Sequence, residues 1–317
     1  MKAYMKGKNM DYKCNLILDS CCDLPYDVVV RDGVYLLKFR YYFGEEEFED
    51  DLFHSISCHD FYERMRKGEQ PTTTYPSLPA IKKAFEWGVE SGKPTIYLSF
   101  TSGMSGHYEQ VCRVLEEVRA EHPEADIRAV DTRLASTAEA VLIFEALRQQ
   151  ERGLTIDEME EWANEARFFA NVYFMVEDLE SLHRGGRIPS SVAVVGSKLD
   201  VKPIVTIAAD GTLGVKGVAR GRKKGLKQLV ELYKERMDPN APAFVCTGHA
   251  DCEKDMKRMQ ELLVKEGFNP MFVEQPIGPT IGCHVGPGMV SLCFWGKDKR
   301  EDLSLSDRIA RKIRGSK

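Results

Sequence analysis

PTIYLSFTSGMSGHYEQVCRVLEEVRAEH, residues 94–122, reads as a buried strand, a glycine loop and a helix in unbroken order. PTIYLSF (94–100) is a short run rich in β-formers, and Val111, Val114, Leu115 and Val118 then recur at helical spacing. The alternation continues downstream through DIRAVDT (126–132) and a long Ala-rich helix reaching Gln150. Upstream, NLILDS (15–20) reads as a strand, DLPYDVVV as a loop and short helix, and VYLLKFRYYF (34–43) as a β-rich run. After an acidic stretch to Asp51, HDFYERMRKG reads as a helix ending at Gly68, and PTTTYPSLP (71–79) as a hydroxyl-rich loop feeding the helix AIKKAFEWGVESG. Strands alternating with helices predict a mainly parallel sheet flanked by helices.

The second half has a different rhythm. Thr155 and Glu158 have capping-box spacing, so a helix starting there is expected to carry the chain between domains. The strand NVYFMVE follows, and in VKPIVTIAADGTLGVKGVAR the pair Asp210–Gly211 sits between two β-rich runs as a hairpin turn. RKKGLKQLVELYKER and DCEKDMKRMQELLVKEG read as amphipathic helices flanking the strand APAFVCTGH, and MFVEQPIG leads into the glycine-rich IGCHVGPGMVSLCFW. The expectation is a two-domain α/β protein. Residues 1–165 form a mainly parallel N-terminal domain, and residues 166–317 an α/β domain with a mixed or partly antiparallel sheet. No internal repeat of domain-building length is present.

Composition narrows the function classes. The 317 residues carry a formal charge of -5 from interleaved acids and bases, which gives no net field for nucleic acid or an anionic membrane. MKAYMKGKNMDYK never builds the apolar core of a secretory signal, and no run approaches a membrane span. Nine cysteines lack a compact framework, so reduced thiols in a cytoplasmic protein are expected.

Several segments are candidate binding elements. In TSGMSG (101–106), glycines let backbone N–H groups converge at a helix start, and Thr101, Ser102 and Ser105 add hydroxyls. An ordinary capped βα turn is the other reading. PTTTYPS can aim a threonine at a ligand oxygen or be a solvated loop. Asp19 and Asp23 in LDSCCD stand at the carboxyl edge of the first strand, where α/β sheets place ligand crevices, although Asp23 equally fits a helix cap. In SLHRGGRIPSS (181–191), Arg184 and Arg187 flank two glycines, as either an anion site or a surface turn. His284 lies among four glycines and two prolines in GPTIGCHVGPG, and IGCHVGPG (281–288) reads as a ligand-gripping loop. Cys246, His249 and Cys252 have no fourth ligand nearby, so no metal is expected. Cys21, Cys22 and Cys283 have no orienting histidine pattern. Ser102 lacks a nucleophile elbow, and nucleotide-binding glycine motifs are missing.

Taken in order, LILDSCCDLP, PTTTYPSLPAI, SFTSGMSGHY, AVDTRLAS, VEDLESLHRGGRI, VKPIVTIAADG and IGPTIGCHVGPG resemble the signature segments of the DegV family, over residues 15–290. The resemblance implies a protein that encloses a long-chain fatty acid without altering it. The carboxylate would lie near the domain interface and the tail in an apolar tunnel. In bacteria such proteins present the acid to an ATP-using fatty acid kinase for acyl-phosphate formation. Carried onto this chain, the carboxylate ligands fall at Thr73 or Thr74, at Thr101 or Ser102, and at His284, with Gly103, Gly282 and Gly286 supporting the loops. Arg184 or Arg187, and Arg220 with Arg222, match a partner-facing or phosphate-facing surface. The chain departs from the family pattern at Thr73–Ser77, at the Ser-Cys-Cys-Asp loop, and at His107 and Cys283.

Burying a tail of about 15 methylenes at ~0.8 kcal/mol each supplies on the order of 12 kcal/mol before ordering costs. A dry, unpaired carboxylate would cost several kcal/mol, so polar groups must converge on it. No cofactor is expected, since a partner would supply ATP and Mg2+. The alternative is a hydrolase or phosphotransferase working through Ser102 and His284. A third reading is a regulatory protein that has lost lipid binding.

Overall fold

The computed structural model describes residues 11–188 and 200–302. MKAYMKGKNM at the N-terminus and the last three residues of SLHRGGRIPSS lie outside them. The chain runs β1 (Asn15–Asp19), α1 (Tyr26–Val29), β2 (Val34–Leu37), β3 (Arg40–Phe43), β4 (Glu46–Glu49), α2 (Cys58–Arg66), β5 (Thr72–Thr74) and α3 (Leu78–Glu90). It continues with β6 (Thr95–Ser99), α4 (His107–Glu121), β7 (Ile127–Asp131), α5 (Ser136–Glu151) and α6 (Ile156–Ala166). β8 (Ala170–Met175) and α7 (Glu180–Arg184) follow. The second sheet is completed by β9 (Val201–Ile207), β10 (Leu213–Arg220), β11 (Phe244–His249), β12 (Met271–Pro276) and β13 (Val290–Trp295), around α8 (Arg222–Arg236), α9 (Glu253–Lys265) and α10 (Pro279–Val285).

β2-β1-β6-β7 form a parallel sheet, with Leu16 beside Ile96 and Thr95 beside Ile127. β10-β9-β8-β13-β11-β12 form the mixed sheet, antiparallel except between β11 and β12. Both sheets have the character expected from the sequence. The hairpin turns at Asp210–Gly211, where Gly211 takes φ 87. The capping box at Thr155 and Glu158 forms as its spacing predicts, and opens α6.

A third sheet, β4-β3-β5, departs from expectation. The β-rich run 34–43 splits at Lys38–Phe39: its first half joins the parallel sheet, and its second half pairs with Glu46–Glu49 and Thr72–Thr74. Gly44 at φ 60 makes the tight turn that folds the acidic stretch back as β4. Thr72–Thr74 is therefore a strand rather than a loop, held by backbone pairing of Tyr41 with Thr73.

α5 lies between the two larger sheets, packing on β8, β11 and β13 on one side and on the Ser20–Cys22 turn on the other. Its apolar residues occur all round the helix, as a helix buried on every face requires. One buried apolar cluster runs through Leu16 and Leu98 of the parallel sheet, Val141 and Leu142 of α5, and Val172 and Cys293 of the mixed sheet.

Candidate functional site

A cavity of about 490 Å3 opens where the start of α5, the β8–β9–β10 face, β5 and α10 meet. That volume falls within the range of small-molecule sites. Phe39, Phe100, Val172, Phe174, Ile207 and Leu213 supply apolar wall. The polar lining is Thr73, Thr74, Ser105, Ser136, Thr137, Thr280, His284 and Arg187.

His284 does not sit on a glycine loop. Pro279 at the helix start and Gly286 at φ 73 just past its end make residues 279–285 a short helix, and only the turn after it is irregular. The glycines serve close packing. A Cβ at Gly282 would lie 2.6 Å from the Tyr62 hydroxyl, and one at Gly185 would collide with Nδ1 of His284. Thr280, Ile281, His284 and Val285 face the cavity from this helix.

His284 Nε2 is 2.8 Å from the Thr73 hydroxyl, so the strand β5 and the helix α10 meet at this bond. Burial, with Arg187 and Arg184 nearby, pulls the imidazole down to about 3, so it is neutral at neutral pH. A Thr73 hydroxyl that accepts from a neutral Nε2–H is free to donate its own proton into the cavity. Arg187 supplies the charge. Its guanidinium donates to the Gly185 carbonyl, and among the described residues no carboxylate pairs with it. Burial lowers its pKa. A guanidinium on an apolar wall without a counter-charge is poised for an anion.

The remaining expected residues are placed elsewhere. Thr101 is fully buried behind the wall, donating to the Gly211 carbonyl at 3.1 Å and accepting from the Gly103 amide at 3.0 Å. A Cβ at Gly103 would lie 2.5 Å from the Gly211 backbone, so this glycine lets loop and hairpin touch. Ser102 donates to Asp131 at 2.6 Å, while His284 bonds Thr73, so no hydrogen bond joins Ser102 to His284. Gly286 lies against Ser181. Arg222 is held by Asp255 at 2.6 Å, Glu177 at 2.9 Å and the Gly288 carbonyl at 2.9 Å, and so anchors the turn after α10. Arg184 lies by Glu180 and Ser181, and Arg220 is exposed at the end of β10.

Asp19 and Asp23 brace the wall. Asp19 accepts from Cys21 N, Phe100 N and the Tyr97 hydroxyl, and Tyr97 in turn meets His107 Nε2 at 2.7 Å. Desolvation raises the Asp19 carboxyl to about 6 and lowers His107 to about 3. Asp23 bridges Ser136 and the Gly278 amide. Among the described residues no group of three or more metal-ligating side chains assembles, and all nine cysteines are unpaired. No helix among them is long and apolar enough to cross a membrane.

Tyr75 and Thr280 line the cavity and are not among the expected ligands, while of the three hydroxyls in TSGMSG only Ser105 lines it. Ser105 is one of three hydroxyls in TSGMSG, and only the α4 start, where it accepts from the His107 amide at 3.1 Å, distinguishes it. Thr280 carries no sequence signal, being a lone threonine in a helix's first turn.

Fold and cavity together define an α/β protein with a cavity that is largely apolar along its walls and lined by one cation, Arg187, beside His284. The chain belongs to the DegV family, whose model, described as uncharacterised protein, matches residues 13–297. A DegV domain-containing protein of Clostridium perfringens is 33% identical over 285 residues, covering 90% of this chain and 98% of the relative. A stearic-acid-binding protein of Eubacterium ventriosum is 25% identical with a TM-score of 0.77, covering 92% of this chain and 100% of its own. The Streptococcus pneumoniae fatty acid kinase B3 protein, solved with linoleic acid, shares the fold at a TM-score of 0.77 and 20% identity, covering 90% of this chain and 100% of its own.

Proposed function

We propose that the cavity encloses a long-chain fatty acid, with its carboxylate at the Thr73–Thr74–His284–Arg187 end and its tail against the β8–β9–β10 face. The observation that carries this reading is Arg187, a cation on an apolar wall with no carboxylate partner among the described residues. The tail supplies affinity through burial, and the head is held by charge-assisted hydrogen bonds from Arg187 and by the Thr73 hydroxyl. Ser105 lies on the same cavity and adds a hydroxyl. Thr101, Ser102 and Gly103 act one layer behind, keeping the α4 start against the hairpin. The stearic-acid-binding relative in Eubacterium ventriosum supports the ligand class.

In this reading the protein does no chemistry on the acid. It presents the carboxylate to an ATP-using kinase, which transfers the terminal phosphoryl group to a carboxylate oxygen and releases ADP. The exposed Arg184 and Arg220 are the basic residues offered to that partner, while Arg222 is committed to its ion pairs. The fold shared with the kinase B3 protein supports this assignment. Denaturing mass spectrometry of freshly purified protein is expected to find an acyl chain, or the emptied protein to take up oleate. Neither result appearing would contradict the proposal.

A further inference from the structure

A second cluster of charge lies apart from the cavity, where α6 runs into β8 beside the turn after β7. Three guanidiniums surround the ring of Phe168, with Arg133 at 6.0 Å from its centroid, Arg167 at 5.1 Å and Arg300 at 4.4 Å. Lys299 joins them, its backbone amide donating to the Phe168 carbonyl at 2.9 Å. None of these residues lines the cavity.

The cations of this cluster are not balanced. Arg300 takes two carboxylates, Asp298 at 2.6 Å and Glu165. The other three are left with Asp131, whose oxygens already accept from the Ser102 hydroxyl at 2.6 Å and from the amides of Ser102 and Arg133. Arg133 stands 3.7 Å from that carboxylate, beyond hydrogen-bond reach, and the guanidinium of Arg167 donates to the Asp131 carbonyl instead. Lys299 is 6% exposed, and among the described residues its ammonium makes no hydrogen bond or ion pair. Burial, with Arg167 and Arg133 adding repulsion against the pull of Asp298 and Cys293, brings its amine down to about 7. Arg167 is lowered by burial and by Arg133 in the same way. Buried ammonium groups are rarely left without a partner.

We infer that Arg133, Arg167 and Lys299 bind a phosphate-type dianion, either free phosphate or the end of a phosphate monoester. With Lys299 protonated, three cations against one carboxylate leave two positive charges over, which a dianion matches. The planar arginine forks suit two oxygens of a tetrahedral anion, and the ammonium a third. The cluster meets solvent through Arg133, whose side chain is 34% exposed, while Lys299 and Phe168 are at most 7% exposed. It therefore admits a small anion or a terminal phosphoryl group rather than a broad acidic surface. Arg133 also takes φ 54, a left-handed backbone that a residue with a β-carbon adopts at a cost and that recurs at functional positions. The inference is independent of the fatty-acid reading.

The test is calorimetric titration of the full-length protein with inorganic phosphate and, separately, with glycerol 3-phosphate, at one ionic strength held with chloride. Saturable uptake of one phosphate group per chain, with a Kd of about 1 mM or tighter, is expected for at least one of them. Tighter binding of phosphate identifies the free anion as the ligand, and tighter binding of glycerol 3-phosphate a monoester. Arg133→Met and Lys299→Met are each expected to weaken the uptake about tenfold or more with circular dichroism unchanged. Should Lys299→Met fail to fold, the partly exposed Arg133 decides the matter alone. No saturable uptake of either compound, or uptake that survives Arg133→Met, overturns the inference. Binding of a glutamate-rich peptide, lost in Arg133→Met, without uptake of either phosphate compound assigns the cluster to carboxylates of a partner and also overturns it.

Discussion

At the residue scale, charge and hydrogen bonding are divided between two side chains. Arg187 carries the positive charge, and His284, held neutral, orients the Thr73 hydroxyl at 2.8 Å. Replacing Arg187 with Met is expected to weaken oleate binding about 10- to 100-fold and leave oleyl alcohol binding nearly unchanged, measured by calorimetry. Equal loss for acid and alcohol would show that Arg187 contributes packing alone. His284 also leaves a pH signature. Its folded value of about 3 lies below its ordinary 6.5, so between those values the unfolded chain binds the extra proton. Its contribution to stability is full above pH 6.5 and is lost as pH falls toward 3. Asp19 and Asp50, raised to about 6, work in the opposite direction, so the histidine term is read from the difference between proteins. His284→Gln is expected to lose stability less steeply than the native chain between pH 6.5 and 3 in thermal melts, and parallel curves would refute this. His284 was legible in the sequence because its glycine and proline surroundings are improbable without a packing reason. Ser105 could not be told from Thr101 and Ser102, since which hydroxyl of a loop faces inward depends on the hairpin packed behind it.

At the element scale, local pattern identified helices and central strands, and non-local pairing decided the rest. Val111, Val114, Leu115 and Val118 are buried on α4 as their spacing requires. β4 and β5 were not legible. A run of glutamates and a run of threonines become strands only because Arg40–Phe43 lies between them. α10 was not legible because its helix is short and its one glycine, Gly282, serves close approach to Tyr62. α5 carries an unusual group, Glu139, fully buried with neither carboxyl oxygen hydrogen-bonded. Desolvation and the neighbouring Asp19, Asp23 and Asp131 push its carboxyl well above the ordinary range, so it folds protonated. A folded value above the unfolded one gives stability that is present below pH 4.5 and declines as pH rises toward the folded value. Glu139→Gln is therefore expected to melt above the native protein by a margin that widens from pH 4.5 upward. A constant or shrinking margin would contradict a neutral Glu139.

At the whole-molecule scale, the proposed division at residues 165–166 separates a parallel from a mixed sheet, yet one apolar cluster crosses both through α5. A shared core of this kind is expected to unfold as a unit, giving a single calorimetric transition with matching calorimetric and van't Hoff enthalpies. Two resolved transitions would mean that the halves are energetically independent. The sheet types and the hairpin turn were readable from periodicity and turn chemistry, but the cavity was not, because it lies where β5, α4, α5, α7 and α10 converge from distant parts of the chain. The ordered set of motifs, and not any one of them, carried the family resemblance that the match over residues 13–297 bears out. The most direct test of the fatty-acid reading is calorimetric titration of the delipidated protein with oleate. Saturable uptake of one oleate per chain, weakened in Arg187→Met and in Thr73→Val, is the expected result. The absence of saturable uptake, or uptake indifferent to both substitutions, would contradict it.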